Sequence, residues 1–106
     1  MGFLNFFKGP DINHGVAEFS DNPRGWLLDV RTEGEYRSGH IPNSKNVPLH
    51  GIEQVAAMIP DRSAPIYLYC QSGGRSRRGE SRLLDMGYRN VKNLGSILDY
   101  KGPLEY

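Results

Sequence analysis

The sequence predicts an α/β fold built around a central, mainly parallel sheet of about five strands with helices on both faces. Residues 26–30 and 66–70 form two short runs that are almost wholly apolar, which is typical of strands buried on both faces of a sheet. Between such runs lie polar turns and stretches whose apolar residues recur at helical spacing. This alternation favours parallel pairing, because each strand can return to the sheet through a helix.

The remaining strands and helices follow from the same local patterns. We expect shorter strands at Ile12 and over residues 45–47 and 91–94, where Ile, Val or Leu lies between turn residues. Helices are expected over four stretches, which are roughly residues 14–20, 33–38, 51–58 and 76–86.

The helix over residues 76–86 has the clearest pattern. Small and apolar residues recur at spacings of three and four along one face of it, at Ser76, Gly79, Leu83 and Met86. Gly87 follows at the position where glycine commonly ends a helix. Inside a helix, glycine costs about 1 kcal/mol relative to alanine, so we expect Gly79 to face the sheet and allow a close approach.

Length and composition indicate one folded, soluble domain. The 106 residues suit a single domain, and hydrophobic and charged fractions of 38% and 24% are those of an ordinary globular chain. The net charge of +1 argues against nucleic acid or an anionic membrane as a partner. We expect the chain to be a monomer.

The amino-terminal segment is apolar but short. It is interrupted by Lys8, Gly9 and Pro10, so it lacks the length of a signal peptide or of a membrane-spanning helix. We interpret residues 1–9 as a tail and residues 10–106 as the domain. We expect the protein to be cytoplasmic, because a reducing compartment suits a single thiol.

Cys70 is the only cysteine of the chain. An intrachain disulfide and a zinc site built from several cysteines are therefore excluded. His14 and His50 have no cysteine or carboxylate at ligand spacing, so we expect no bound metal.

A polar loop with two glycines follows Cys70 and leads into a helix. Gly73 and Gly74 allow backbone N–H groups to turn inward and bind an anion. The start of the helix adds its positive dipole end, and three nearby arginines add charge. Each effect favours the thiolate, so the pKa of Cys70 should fall below the ordinary value of about 8.5. A cysteine buried in the core is the alternative, but such a residue needs no glycine-rich, arginine-bearing loop.

This loop and its surroundings resemble a known family. Residues 70–76 read C-x-x-G-x-R-S, and the upstream chain contains, in order, the segments LDVRT, EY, GHIPNS and NVPL. The ordered set resembles the single-domain rhodanese-like sulfurtransferase family over roughly residues 10–102. Many family members have Gly-Gly after the last strand, whereas this chain has Gly95 and Ser96. We expect that difference to leave the active loop untouched.

The resemblance implies sulfur transfer through Cys70 without a metal or an organic cofactor. The thiolate would take a sulfane sulfur from a small anionic donor such as thiosulfate and hold it as a persulfide. A thiol, cyanide or a protein cysteine would then accept that sulfur. The residues expected to bind the substrate are Gln71, Ser72, Gly73, Gly74, Arg75 and Ser76. Arg75 either orients the donor or ties the loop to a carboxylate, and the sequence leaves both roles open.

Three charged residues are expected to support this loop without touching sulfur. Asp29 should accept hydrogen bonds from the loop, while Arg31 should pair with Glu35 and hold the turn over residues 39–42. We interpret His40, which lies in that turn, as structural and not as a general base.

Two other functions stay open. Phosphatases and arsenate reductases also place a cysteine in an anion-binding loop, but the phosphatase pattern resembles Cys-x5-Arg, whereas four residues separate Cys70 from Arg75 here. A shorter ring of amides suits a single sulfur better than a tetrahedral phosphate. The other alternative is a non-catalytic regulatory or binding module of the same fold, and the presence of Cys70 argues against it.

Overall fold

Helices and strands alternate along residues 11–106, the part of the chain that the computed structural model describes. The tail expected over residues 1–9 lies outside the described residues. The elements follow in the order α1 (Ile12–Ser20), β1 (Trp26–Asp29), α2 (Glu33–Arg37), β2 (Ser44–Asn46), a first 3₁₀ helix (Leu49–Gln54), α3 (Val55–Met58), β3 (Ile66–Cys70), α4 (Gly74–Asp85), β4 (Val91–Ser96) and a second 3₁₀ helix (Ile97–Asp99). None of the helices within residues 11–106 has the length and apolar character that crossing a membrane requires.

The four strands of the described residues form one sheet in the order β2-β1-β3-β4. Every neighbouring pair is parallel, so the predicted α/β fold is confirmed. The strand expected at Ile12 is wrong, because this residue opens helix α1. The Asp11 carboxylate accepts hydrogen bonds from the N–H groups of Asn13 and His14 and thereby caps that helix. The sheet therefore has one strand fewer than the roughly five expected.

Helices cover both faces of the sheet, because alternate residues of a strand point to opposite sides. Leu68 and Cys70 of β3 face a core that includes residues of the first 3₁₀ helix, α3 and α4. Tyr67 and Tyr69 face a second core with residues of α1 and the second 3₁₀ helix. All five residues of β3 are buried, which explains why this run is apolar throughout.

The helix expected over residues 51–58 is divided into two short pieces. A 3₁₀ helix occupies Leu49–Gln54, and only Val55–Met58 is α-helical. Gly51 leaves the helical region at φ −116° and ψ 23°, which interrupts the regular hydrogen bonds. The segment still buries Ile52 and Val55 in the core.

Two glycines inside helices have different amounts of space around them. A Cβ at Gly79 would lie 3.4 Å from Leu68 Cδ1, which is an ordinary contact. A Cβ at Gly15 would lie 2.3 Å from Leu94 Cδ2, closer than packed atoms approach. Gly79 therefore lies against the sheet as expected, while Gly15 lies where an added side chain would displace the end of the Leu94 side chain.

We expect Gly79→Ala to raise the free energy of unfolding by up to about 1 kcal/mol, because alanine favours the helix and its methyl group fits. Gly15→Ala should lower it by about 1–3 kcal/mol, because the added methyl group displaces buried Leu94. Urea unfolding of both variants measures the two changes. Changes of the same sign would contradict this account of the packing.

Candidate active site

The carboxyl ends of the two central strands bring the predicted site together. β1 and β3 are parallel neighbours with Asp29 opposite Tyr69, and the Val30 N–H donates to the Tyr69 carbonyl at 3.1 Å. Arg31 follows β1, and Cys70 is the last residue of β3. The two predicted segments therefore lie at the same edge of the sheet.

The sulfur of Cys70 lies inside the turn that leads into α4. Its Sγ accepts hydrogen bonds from the backbone N–H of Gly73 at 2.9 Å and from that of Ser76 at 3.3 Å. The Ser76 Oγ lies 3.4 Å from the same sulfur. Of the two adjacent glycines, only Gly73 adopts left-handed backbone, with φ 97°, while Gly74 begins the helix. A residue with a side chain is strained at such a φ angle, so glycine at position 73 allows the turn.

The pKa of Cys70 is lowered, as the sequence predicted. Burial acts in the opposite direction, because it disfavours the charged thiolate. Hydrogen bonds with the Ser76 hydroxyl and from the N–H groups of Ser76, Gly73 and Ser72 outweigh it. The site therefore favours the thiolate, which is the reactive form of cysteine.

Arg75 is bound by a carboxylate. Its two terminal nitrogens donate to the two oxygens of Glu35 at 2.6 and 2.9 Å. This guanidinium, helped by the N–H and hydroxyl of Thr32, lowers the pKa of Glu35 to about 2 against the opposing effect of burial. Thr32 also fixes Glu35 at the start of α2 through a capping box. Of the two roles left open for Arg75, the structure shows the second, a bond to a carboxylate. This pair connects α4 to α2.

Arg31 pairs with Asp29, so the expected pair between Arg31 and Glu35 is wrong. Its Nε donates to Asp29 Oδ1 at 3.0 Å and its Nη2 to Oδ2 at 2.7 Å. Both residues are buried. The reason is their position, because residues two apart at the end of an extended strand point to the same side. Glu35 instead lies on α2, where it meets Arg75.

The Asp29 carboxylate accepts its hydrogen bonds from Arg31, so the expectation that the active loop supplies them is also wrong. Arg31 makes the contact with the loop instead. Its Nη1 donates to Gln71 Oε1 at 3.4 Å, and its Nη2 donates to the Gly39 carbonyl at 2.7 Å. The buried ion pair thus holds both the turn over residues 39–42, as expected for Arg31, and the residue that follows Cys70.

Ser96 contacts the active loop, which sequence reasoning missed. It lies opposite Cys70 at the end of β4, and its hydroxyl donates to the Gln71 carbonyl. The expectation that Ser96 leaves the loop untouched is therefore wrong. The parallel pairing of β3 with β4 could have indicated which residue of β4 lies opposite Cys70. The register of this pair, however, shifts by one residue beside Leu94. Without that shift, Cys70 would face Gly95.

The histidines and acidic residues within residues 11–106 form no cluster of three that could hold a metal ion. His40 has structural contacts, as expected. Its ring stacks on Tyr36 with centroids 3.7 Å apart, and its Nδ1 lies 2.8 Å from the Tyr36 carbonyl oxygen. Its backbone pairs with Glu105 near the end of the chain.

Comparison with known proteins matches this chain to one family. Residues 15–102 match the family described as Rhodanese-like domain. Thiosulfate sulfurtransferase PspE of Escherichia coli (strain K12) is 32% identical over 77 residues, which are 72% of this chain and 74% of that protein. A sulfurtransferase of Allochromatium vinosum is 37% identical over 73 residues, which are 68% of this chain and 67% of that protein.

The fold is shared with solved structures of the same kind. A structure described as rhodanese with anions, from E. coli, has a TM-score of 0.72 and 30% identity, and the match covers 76% of this chain and 96% of that one. The family match includes all four strands of the described sheet and the whole active loop. The chain belongs to the rhodanese-like domain family.

Proposed function

We propose that this protein is a sulfurtransferase that carries a sulfane sulfur as a persulfide on Cys70. The observation behind this proposal is the position of the Cys70 sulfur, which accepts hydrogen bonds from the N–H groups of Gly73 and Ser76. Such donors lower the pKa of a thiol and stabilise negative charge on sulfur, and attack on a sulfane sulfur benefits from both. The relatives named as sulfurtransferases support the same activity.

In the first half-reaction, the Cys70 thiolate attacks the outer sulfur of a small anionic donor such as thiosulfate. A bond forms between the two sulfur atoms, the sulfur–sulfur bond of thiosulfate breaks, and sulfite leaves with the bonding electron pair. The electron pair of the thiolate forms the new bond, and the terminal sulfur of the persulfide keeps the negative charge that it carried in thiosulfate. The proposed substrate-binding residues around it are Gln71, Ser72, Gly73, Gly74 and Ser76, while Arg75 braces the loop through Glu35.

In the second half-reaction, an acceptor attacks the terminal sulfur of the persulfide. A thiolate, cyanide or the thiolate of a protein cysteine forms a bond to that sulfur, and the persulfide bond breaks. The electron pair of the broken bond returns to Cys70 as a thiolate. Atoms and charge balance in both steps, so the proposed reaction calls for neither a metal nor an organic cofactor.

Asp29, Arg31 and Glu35 are proposed as positioning residues that act through other groups. Arg31, held by Asp29, fixes the side chain of Gln71, and Glu35 fixes Arg75. Both contacts hold the loop in the geometry that directs its N–H groups at sulfur. We assign the activity to residues 10–106, acting as a monomer in the cytoplasm, where reducing conditions keep Cys70 as a thiol.

The pair between Arg75 and Glu35 favours sulfur over phosphate as the transferred group. A phosphoryl group has several charged oxygens that need a cation, and the arginine of this loop is already bound by a carboxylate. The loop is also one residue shorter than the phosphatase pattern. A non-catalytic module of the same fold is distinguished from both enzymes by the absence of any turnover.

Incubation with thiosulfate should add one sulfur, about 32 Da, to the wild-type protein, because the Cys70 thiolate attacks the donor. Cys70→Ser should gain no mass and transfer no sulfur to cyanide, yet keep its circular dichroism spectrum, since hydroxyl and thiol differ little in volume. Intact mass spectrometry and thiosulfate–cyanide turnover measure these outcomes. A wild-type protein that gains no sulfur, or a folded Cys70→Ser that turns over, would contradict the proposal. Hydrolysis of an aryl phosphate would favour the phosphatase alternative.

Removal of the Ser76 hydroxyl should raise the pKa of Cys70, because that hydroxyl makes the largest of the hydrogen-bond contributions that lower it. We expect the pH at which alkylation by iodoacetamide is half-maximal to be higher in Ser76→Ala than in the wild type. Ser72→Ala is the matched control, because Ser72 is exposed and lowers the pKa of Cys70 through its backbone N–H. An equal shift in the two variants would rule out the assigned role of the Ser76 hydroxyl.

The pair between Glu35 and Arg75 should make stability depend on pH in the acid range. The pKa of Glu35 is about 2 in the folded protein, below the ordinary value of about 4.3. The stabilisation is therefore complete above about pH 4.5 and is lost as the pH falls toward about 2. Glu35→Gln keeps a residue suited to the capping box, removes the charge, and should lower the free energy of unfolding at pH 7 by about 1 kcal/mol.

Urea unfolding at neutral pH and at about pH 2.5 tests this dependence. The difference between the wild type and Glu35→Gln should shrink at the lower pH. Glu33→Gln is the control, because Glu33 forms an exposed pair with Arg37 on the same helix and should contribute less. A Glu35→Gln effect of equal size at both pH values would show that the charge of Glu35 is not what stabilises the fold.

A further inference from the structure

A cavity of about 200 Å³ lies beside the active loop, at the carboxyl edge of the sheet. Its walls come from the segment that follows β1, the segment and 3₁₀ helix that follow β2, and the first two turns of α4, and they include Thr32, Leu49, His50, Arg75 and Arg78. Sites for drug-sized ligands usually measure about 300–1,000 Å³. The cavity is therefore of the size that holds a small molecule of few heavy atoms.

The cavity and the Cys70 sulfur lie within electrostatic reach of each other. Arg75 lines the cavity, and its pKa is raised first by Glu35 and further by the charge of Cys70. Val30 also connects the two places, because it lines the cavity and shares one hydrophobic core with Cys70. The cavity thus adjoins the active loop that holds Cys70.

The charges around the cavity leave one arginine available for a ligand. The positive charge of Arg75 is balanced by the carboxylate of Glu35, to which it donates two hydrogen bonds. Arg78 forms an ion pair with no carboxylate among residues 11–106. The exposed imidazole of His50 adds a second polar group to the same walls. The cavity therefore presents a net positive charge.

We propose that this cavity binds the anionic end of a small sulfur compound through Arg78. The chemistry recognised is a compact oxyanion, which is either the sulfonate end of the donor or the carboxylate of an acceptor thiol. Arg75 braces the loop, and Arg78 binds the ligand. This inference rests on the proposed function, since it assigns the binding site for the compounds that react at Cys70.

Binding is tested first on Cys70→Ser, which cannot react. Titration with thiosulfate, followed by nuclear magnetic resonance, should show binding that Arg78→Ala weakens about fivefold, the effect of one exposed charge. Arg78→Lys should retain most of the affinity. Arg77→Ala is the matched control, because Arg77 carries the same charge on the adjacent residue but does not line the cavity. That control should change affinity less than about twofold.

The two half-reactions of the otherwise wild-type protein then identify the source of the oxyanion. The rate of persulfide formation from thiosulfate reports on binding of the donor. The rate of sulfur transfer to 3-mercaptopropionate or to 2-mercaptoethanol, compared at equal thiolate concentration, reports on binding of the acceptor. If Arg78→Ala slows only the reaction with thiosulfate, the cavity binds the donor sulfonate. If it slows only transfer to 3-mercaptopropionate, the cavity binds the acceptor carboxylate, and loss in both assigns both roles.

Equal losses in Arg78→Ala and Arg77→Ala would overturn the inference, because the effect would then be one of general surface charge. Equal losses with the charged and the neutral thiol, together with undiminished thiosulfate binding, would overturn it as well. Failure of the proposed function gives a different result. A wild-type protein that forms no persulfide refutes sulfur transfer, while thiosulfate binding to Cys70→Ser still reports whether Arg78 binds an oxyanion.

Discussion

The left-handed backbone at Gly73 is the constraint on which the active site depends. Strand β3 delivers Cys70 into a fully buried position, where desolvation alone would raise the pKa of the thiol. With φ 97° at Gly73, the chain turns so that its N–H and that of Ser76 point back at sulfur. Helix α4 begins at once, which places its positive end at the same point. One backbone angle therefore directs two hydrogen-bond donors at a core cysteine and favours its thiolate.

A turn of this kind keeps its geometry only if the surrounding structure holds it. Three contacts do so, and they come from three different elements of the fold. Arg75 is held by Glu35 of α2, while the side chain of Gln71 is held by Arg31 after β1 and its carbonyl by Ser96 of β4. Arg31 is buried, so its guanidinium needs partners on every side. Because Arg31 donates to both Gln71 and the Gly39 carbonyl, it links the loop to the turn over residues 39–42.

The four strands of the sheet, the active loop and helix α4 could be predicted from sequence, because short-range patterns determine them. The ionic pairs could not be predicted in the same way. Two arginines and two carboxylates can pair in two ways, and strand geometry joins Arg31 to Asp29 and leaves Glu35 to Arg75. The contact of Ser96 depends on a register shift between β3 and β4, which is a long-range feature that local patterns do not report.

The pair between Arg75 and Glu35 also determines what positive charge can do at this site. A bidentate pair fixes geometry and is neutral overall, so the arginine that stabilises the loop attracts an anion only weakly. Residues three apart on a helix share a face, which places Arg78 beside Arg75 and directs Arg77 elsewhere. An exposed arginine can bind an entering anion and release a departing one without loosening the loop. In the proposed site, Arg75 therefore braces the loop, and Arg78, three residues further along α4, binds the anion.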